Sequence, residues 1–144
     1  SMELTIKTFQ ELTTKELYEI LKVRGAIFVV EQSCAYQDID GLDEASLHLF
    51  YEDGGQVQAY LRAFEKEPGV VQMGRVLTLR HGEGLGGRLL HEGIPVIKEQ
   101  FHPRKIVIEA QCYATGYYEK AGFQRCSEEF LEDGIPHVKM ELTL

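Results

Sequence analysis

Apolar and polar positions along this chain follow two periods, and the switches between them mark out its elements. Residues 4–9 alternate, with Leu4, Ile6 and Thr8 set against Thr5, Lys7 and Phe9, and predict a first strand. Thr13-Thr14-Lys15-Glu16 reads as a capping box: the Thr13 hydroxyl can accept the Glu16 N–H while the Glu16 side chain reaches back. The helix that follows places Leu17, Ile20, Leu21, Arg24, Ile27 and Phe28 on one broad face. Arg24 is the odd member of that stripe. Either its stem lies along apolar surface with the head in water, or its guanidinium lines a cleft. Residues 29–32 close the helix, and 33–46 form a polar loop.

Residues 46–52 and 56–65 predict two strands joined at Asp53-Gly54-Gly55, a hairpin signal. Glu67-Pro68-Gly69 is a second turn, and residues 70–79 make the long third strand of a meander. A glycine-rich loop comes next, then a helix that Pro95 is expected to kink or shorten. Residues 105–110 carry a continuous apolar run and predict a strand. A strand–helix–strand unit implies one parallel pair here. Residues 114–121 predict a short helix ended by Gly122, and 123–131 with 137–144 a last hairpin across 132–136. The expected fold is α/β: an α+β mixed sheet of about seven strands, mostly antiparallel, with one parallel pair and helices on both faces. No repeat or linker divides it, so residues 2–144 are expected to form one domain; Ser1, ahead of Met2, reads as an added residue.

The length of 144 residues suits one domain with a real core. Twenty-three acidic residues against 15 Lys and Arg give a net charge of −8, which disfavours nucleic acid as a partner because no basic stripe can displace counterions. An acidic surface suits a cationic substrate through steering, or simply keeps the protein soluble. No apolar run approaches the roughly 20 residues that cross a membrane, and no signal peptide is legible; a cytoplasmic protein with no membrane partner is expected. The three cysteines, Cys34, Cys112 and Cys126, include no C-x-x-C pair and read as reduced thiols without zinc or disulfide. Asp38, Asp40, Asp43 and Glu44 hint at calcium, but the loop lacks the third oxygen ligand before its glycine and the glutamate six residues after it, so no metal is expected.

The chemistry concentrates in residues 73–101. A β-branched, apolar segment ending at Leu79 leads into His81-Gly82-Glu83-Gly84-Leu85-Gly86-Gly87, and a helix start follows. Glycine lets successive N–H groups converge on one point, and a helix N-terminus adds positive potential. The combination is an anion site, most often for phosphate; a plain glycine-rich turn is the alternative. The loop also satisfies G-x-G-x-x-G, with Glu109 near the end of the next strand, as in dinucleotide-binding Rossmann proteins. That reading needs several more βα units after Glu109, and residues 110–144 leave no room for them.

A second segment, Gln111-Cys112-Tyr113-Ala114-Thr115-Gly116-Tyr117-Tyr118-Glu119-Lys120-Ala121-Gly122-Phe123, lies downstream. The two segments together resemble the GNAT (GCN5-related) N-acetyltransferase family: a strand followed by Arg/Gln-x-x-Gly-x-Gly/Ala, then Ala-x-x-Leu/Phe-Tyr-x-x-x-Gly-Phe. Val29-Val30-Glu31-Gln32, Tyr36-Gln37-Asp38-Ile39-Asp40-Gly41 and Asp133-Gly134-Ile135-Pro136-His137 resemble its ElaA-like branch, so the likeness spans nearly the whole chain. His81 stands where the family usually has Arg or Gln, with Arg80 one place early, and Gln111 stands where many members carry Asn.

The resemblance implies acetyl-CoA as co-substrate and direct attack by a primary amine of a small molecule or peptide. It implies that Leu77, Thr78 and Leu79 offer backbone groups to pantetheine, and that His81, Gly82, Glu83, Gly84, Leu85, Gly86, Gly87 and Arg88 surround the pyrophosphate. Gln111 is a further cofactor contact, and Tyr118 matches the tyrosine that protonates the leaving thiolate. For the base, Glu31, His48, Glu109 and His137 are candidates, with Glu31 and His137 first because they fall in the ElaA-like segments. Arg24, Phe28, Glu31 and Gln32 are expected at the acceptor wall. A dinucleotide binder and a non-catalytic acyl-CoA-binding module are the competing functions, and monomer and homodimer are both open.

Overall fold

The structure is a computed structural model in which residues 2–144 are described; Ser1 lies outside them. The elements run β1 (Thr5–Thr8), α1 (Thr14–Arg24), β2 (Leu47–Asp53), β3 (Gln56–Glu67), β4 (Val70–Thr78), α2 (Leu85–Phe101), β5 (Lys105–Gln111), α3 (Thr115–Lys120), β6 (Gln124–Arg125), β7 (Phe130–Glu132) and β8 (Ile135–Thr143). They form one mixed sheet in the order β1-β2-β3-β4-β5-β8-β6, with β7 also on β8. Only β4 and β5 pair in parallel.

Side-chain alternation along the strands divides the core in two. Leu49, Leu61, Met73, Ile106 and Ile108 face one way and bury Leu89, Leu90, Ile94 and Ile97 of α2 together with Tyr118 of α3. Phe50, Val57, Tyr60 and Leu77 face the other way and bury Ile20 and Val23 of α1. Gly93 sits close in this packing: a Cβ there would stand 3.3 Å from Leu49 Cδ2, so the leucine would have to give by a few tenths of an ångström.

The capping box forms as expected, with Glu16 N–H donating to Thr13 Oγ1 at 3.0 Å and Thr13 N–H to Glu16 Oε1 at 2.8 Å. The two-residue turns at Gly54-Gly55 and Pro68-Gly69 close the meander. Three expectations need correction. Pro95 does not shorten α2, which runs unbroken to Phe101; the ring is exposed and its missing N–H frees only the carbonyl of His91, itself exposed. The sheet has eight strands instead of seven, because the stretch 123–131 breaks at 126–129 into β6 and β7, both on the same edge of β8. Strand β8 begins at Ile135, two residues early, because Asp133 (φ +51°) and Gly134 (φ +77°) alone make the turn.

Past Arg24, α1 does not end. It widens into a π-helical stretch, Gly25–Glu31, and Cys34 N–H then donates back to the Val29 carbonyl at 3.0 Å. Such widenings recur at functional sites because they turn side chains off the helical stripe. Here Phe28, Glu31 and Gln32 line a cavity beside the sheet.

Candidate active site

Strands β4 and β5 part early. They pair over Val70, Val71 and Gln72 against Lys105, Ile106 and Val107, and then diverge. Past Gln72 the edge of β4 that faces β5 has no strand partner among the described residues. A cavity of about 1040 Å³ opens in the gap. Leu77, Thr78 and His81 line it from one side, Phe28, Glu31 and Gln32 from the π-helical stretch, and Gln111, Tyr118 and His137 from the other side.

A β-bulge shapes the β4 wall. Tyr60 pairs with Leu77 and Arg62 with Gly74, so β4 carries one residue more than β3 in between. Arg75 takes the bulge with φ +52°, a left-handed angle that costs a non-glycine residue about 1 kcal/mol. Its side chain is held from outside: Nε donates to Asp38 Oδ1 at 2.8 Å and the guanidinium reaches Asp40 Oδ2 at 3.3 Å, above the Tyr36 ring. The same aspartates hold two more arginines. Arg24, fully buried, donates to Asp38 Oδ2 at 3.1 Å and Asp43 Oδ1 at 2.6 Å. Arg62 donates to Asp40 Oδ2 at 2.6 Å and Asp43 Oδ1 at 3.0 Å. Three guanidinium groups from α1, β3 and β4 thus meet three carboxylates from the 33–46 loop. Burial alone would raise the Asp40 carboxyl, but Arg62 and Arg75 outweigh it and hold it down at about 2. Arg24 therefore neither snorkels nor lines the cavity, and the acidic loop spends its carboxylates on arginine.

At the glycine loop, Gly82 (φ +79°) and Gly84 (φ +73°) adopt angles that favour glycine, and Gly84 caps α2. The first helical bond is Arg88 N–H to the Gly84 carbonyl at 3.0 Å. The N–H groups of Leu85, Gly86 and Gly87 precede it and have no helical acceptor, which is the anion cradle of a helix N-terminus. A Cβ at Gly82, Gly84 or Gly87 would meet nothing within 4 Å, so the space beside them is open. Gly86 differs: a Cβ would lie 3.4 Å from the Tyr117 ring. Some residues expected at the cofactor are engaged elsewhere. The Arg88 guanidinium binds Glu92 at 3.0 Å and the Met2 carbonyl at 2.6 Å. Leu79 N–H donates to the Gln58 carbonyl at 2.8 Å, and Arg80 pairs with Asp53.

Helix α3 sets two tyrosines at the junction of loop and cavity. It ends in a Schellman motif, with Gly122 N–H donating to the Glu119 carbonyl at 3.0 Å and Phe123 N–H to that of Tyr118 at 3.1 Å. The Tyr117 hydroxyl donates to the Gly86 carbonyl at 2.6 Å and ties α3 to the first turn of α2. Tyr118 packs edge-on between Tyr117 and Phe123, 4.9 and 5.9 Å away. It is 6% exposed, lines the cavity, and its hydroxyl has no hydrogen-bond partner among the described residues. Burial and the adjacent tyrosines push its phenol up, so it keeps its proton and acts as a donor.

Opposite lie the acceptor-side candidates. Gln32 and Gln111 clasp each other, the Gln111 amide donating to Gln32 Oε1 at 3.1 Å. His137 is 7% exposed; its Nδ1 lies 2.7 Å from the Ile135 carbonyl, which can only accept. That nitrogen therefore carries a proton, and Nε2 lies 3.7 Å from Glu132 Oε2. Burial and the neighbouring Glu109 carboxyl raise Glu132. Glu31 lies at the exposed rim. His48 is not in the cavity. Its Nε2 donates to the Asp43 carbonyl at 2.9 Å and its Nδ1 accepts from Tyr60 at 2.7 Å, and burial lowers its basicity. Sequence reasoning missed Tyr117 and Arg75. Tyr117 was within reach, since consecutive helical positions face about 100° apart and α3 must meet α2 on one of them.

The comparisons agree with this geometry. The sequence model of the acetyltransferase (GNAT) domain matches residues 12–144. A UPF0039 protein of Schizosaccharomyces pombe is 38% identical, covering 100% of this chain and 99% of its own. The crystal structure of an acyl-CoA N-acyltransferase from Pseudomonas aeruginosa superposes with a TM-score of 0.91 at 37% identity, covering 99% of this chain and 100% of that one. That of Escherichia coli ElaA gives 0.92 at 30%, covering 99% of each. A parted β4–β5 pair over a glycine-capped helix, shared kinship along the whole length and the matching domain lead to one conclusion: this chain belongs to the GNAT acetyltransferase family, among its ElaA-like members, and is an acyltransferase.

Proposed function

We propose that the protein transfers an acetyl group from acetyl-CoA to a primary amine of a small molecule or peptide, with Tyr118 as general acid. The observation that carries this reading is Tyr118: the residue is 6% exposed, its hydroxyl has no partner among the described residues, and it lines a cavity that runs from His81, at the start of the glycine loop, to Glu109 of β5. A hydroxyl that bonds to none of the described residues and is reached from the cavity is free to bond a ligand atom there.

Bound acetyl-CoA supplies a thioester whose C–S bond breaks as the C–N bond to the amine forms. The chain's own residues do the rest. The N–H groups of Leu85, Gly86 and Gly87, with the α2 dipole behind them, hold the diphosphate. The open edge of β4 through Leu77 and Thr78 pairs with the pantetheine amides as a further strand would. The Tyr118 phenol gives its proton to the departing sulfur and regains one from the second proton that the acylated nitrogen sheds on becoming an amide. His137 takes a proton from the incoming ammonium on Nε2, its ring held by the Ile135 carbonyl. Glu31 at the rim attracts the cation, and Phe28 with the Gln32–Gln111 clasp forms the acceptor wall.

The test is a pair of measurements. In thermal shift, acetyl-CoA at 100 times its Kd adds about 2.7 kcal/mol of stability, and NAD(P) at equal concentration adds none. In a thiol-release assay, an amine panel yields free CoA. Stabilisation by NAD(P) alone overturns the reading; binding of acetyl-CoA with no thiol release from any amine favours a non-catalytic acyl-CoA module.

A further inference from the structure

A regular strand returns to the same face every second residue, so Met73 and Leu77 should share one. They do not. Met73 is buried with Leu49, Leu61 and the α2 side chains, and Leu77 with Phe50, Tyr60 and the α1 side chains. The bulge makes the switch, since Arg62 pairs with Gly74 but Tyr60 with Leu77. In straight register every β4 side chain past the bulge would move to the other face. Thr78, whose Cγ2 lies 3.7 Å from where a Gly86 Cβ would stand, would then leave the glycine loop, and Leu77 would leave its place beside Tyr60. The switch sits where β4 has just parted from β5, and Gly74, Arg75, Val76 and Leu77 all line the cavity.

The left-handed angle falls on Arg75 (φ +52°), and Gly74 beside it, which could take such an angle freely, does not. What holds the angle is therefore the arginine side chain. Its Nε donates to Asp38 Oδ1 at 2.8 Å and its guanidinium to the Asp38 carbonyl at 3.0 Å, over the Tyr36 ring. Asp38 is itself fixed. Buried Arg24 donates to its Oδ2 at 3.1 Å and to its carbonyl at 3.0 Å, and the Tyr36 hydroxyl donates to its Oδ1 at 2.9 Å. The anchor belongs to the 33–46 loop, which brings Tyr36, Gln37 and Asp40 to the wall of the same cavity. A strained residue gripped this firmly beside a site marks strain kept for a purpose.

We propose that Arg75 is a positioning residue for acyl transfer: clasped by Asp38, it locks the bulge and so fixes which face of β4 the acyl-CoA meets, acting through the backbone and not by contact with the ligand. This rests on the acetyltransfer reading above and ties the 33–46 loop to the strand that holds the donor. The test compares Arg75→Ala with Arg75→Gly. Both remove the guanidinium, but only Arg75→Ala must still hold a Cβ at positive φ. Acetyl-CoA affinity is read by calorimetry on folded protein, which a loss of stability alone does not move. Arg75→Ala is expected to bind at least about tenfold more weakly, the scale of a misplaced contact, while Arg75→Gly stays within about threefold of the wild type. Wild-type affinity in Arg75→Ala overturns the proposal. Equal losses in the two variants also overturn it, because the guanidinium then touches the ligand. Either outcome spares acetyl transfer, whereas a wild type that binds no acetyl-CoA removes both. If Arg75→Ala does not fold, Arg75→Gly decides alone: affinity near that of the wild type supports the backbone role, and a loss of about tenfold overturns it.

Discussion

Single residues decide the chemistry through what they lack as much as through what they touch. Tyr118 lacks a partner, so replacing its hydroxyl removes no internal bond. Tyr118→Phe is expected to keep the fold and the acetyl-CoA affinity while kcat falls about 10²–10³-fold, the range of a lost general acid; steady-state kinetics beside a thermal shift check both halves. Asp43 is the opposite case. It joins Arg24 and Arg62, both buried, and in Arg62 the Nε already lacks a partner. Taking away one member of a buried ionic group strands the charge of the others. Asp43→Ala is expected to cost about 3–5 kcal/mol in urea unfolding, with the loss carried by folding and not by any contact to ligand.

At the scale of elements, the site depends on endings. Strand β4 loses β5 after three pairs, α1 widens where a helix of its composition would stop, and α3 terminates one turn after the residue that matters. Gly122 makes that last ending possible. Its φ is +100°, and a Cβ would stand 3.1 Å from Leu142 Cδ1. Gly122→Ala is expected to lower stability by at least about 1 kcal/mol and to lower kcat more than acetyl-CoA affinity, because the Schellman bond it strains is made to the Tyr118 carbonyl. Urea unfolding and kinetics on the same sample separate the two effects. Endings set by local chemistry were legible in the sequence: the Thr13 cap, the Gly54-Gly55 turn and the Gly122 stop all rest on neighbours in the chain. The glycine loop and Tyr118 were legible for the same reason, since each sits in a short motif. The parting of β4 from β5, the bulge at Arg75 and the π-helical stretch were not, because each is imposed by partners far along the chain. Asp38 and Arg75 stand 37 positions apart, and nothing in either neighbourhood names the other; an arginine in the apolar stripe of α1 was the lone hint that a buried counter-charge exists.

For the whole molecule, the three arginines and three aspartates join α1, β3, β4 and the 33–46 loop into one unit, and they make stability depend on acid. The Asp40 carboxyl is held at about 2 in the fold and returns to its ordinary value near 3.8 on unfolding; Asp43 is lowered as well, its burial outweighed by Arg24. A group lowered in the fold contributes stability that is complete above its unfolded value and is lost as the pH falls through the folded one. Urea midpoints are therefore expected to hold down to about pH 5 and to drop between about pH 4 and 2, and Asp40→Asn is expected to flatten that drop. An equal slope in the variant would place the acid sensitivity elsewhere.

The bond from the Tyr117 hydroxyl to the Gly86 carbonyl bears on how tightly a coenzyme can be gripped. Glycine-rich segments bind anions well but are entropically loose, and a ligand that must first still them binds more weakly for it. Here an aromatic side chain from a neighbouring helix pins the segment during folding, so that stillness precedes the encounter. Tyr117→Phe keeps the ring beside Gly86 and releases only the tether; acetyl-CoA should then bind several-fold more weakly by calorimetry, with the deficit in entropy and the enthalpy nearly unmoved.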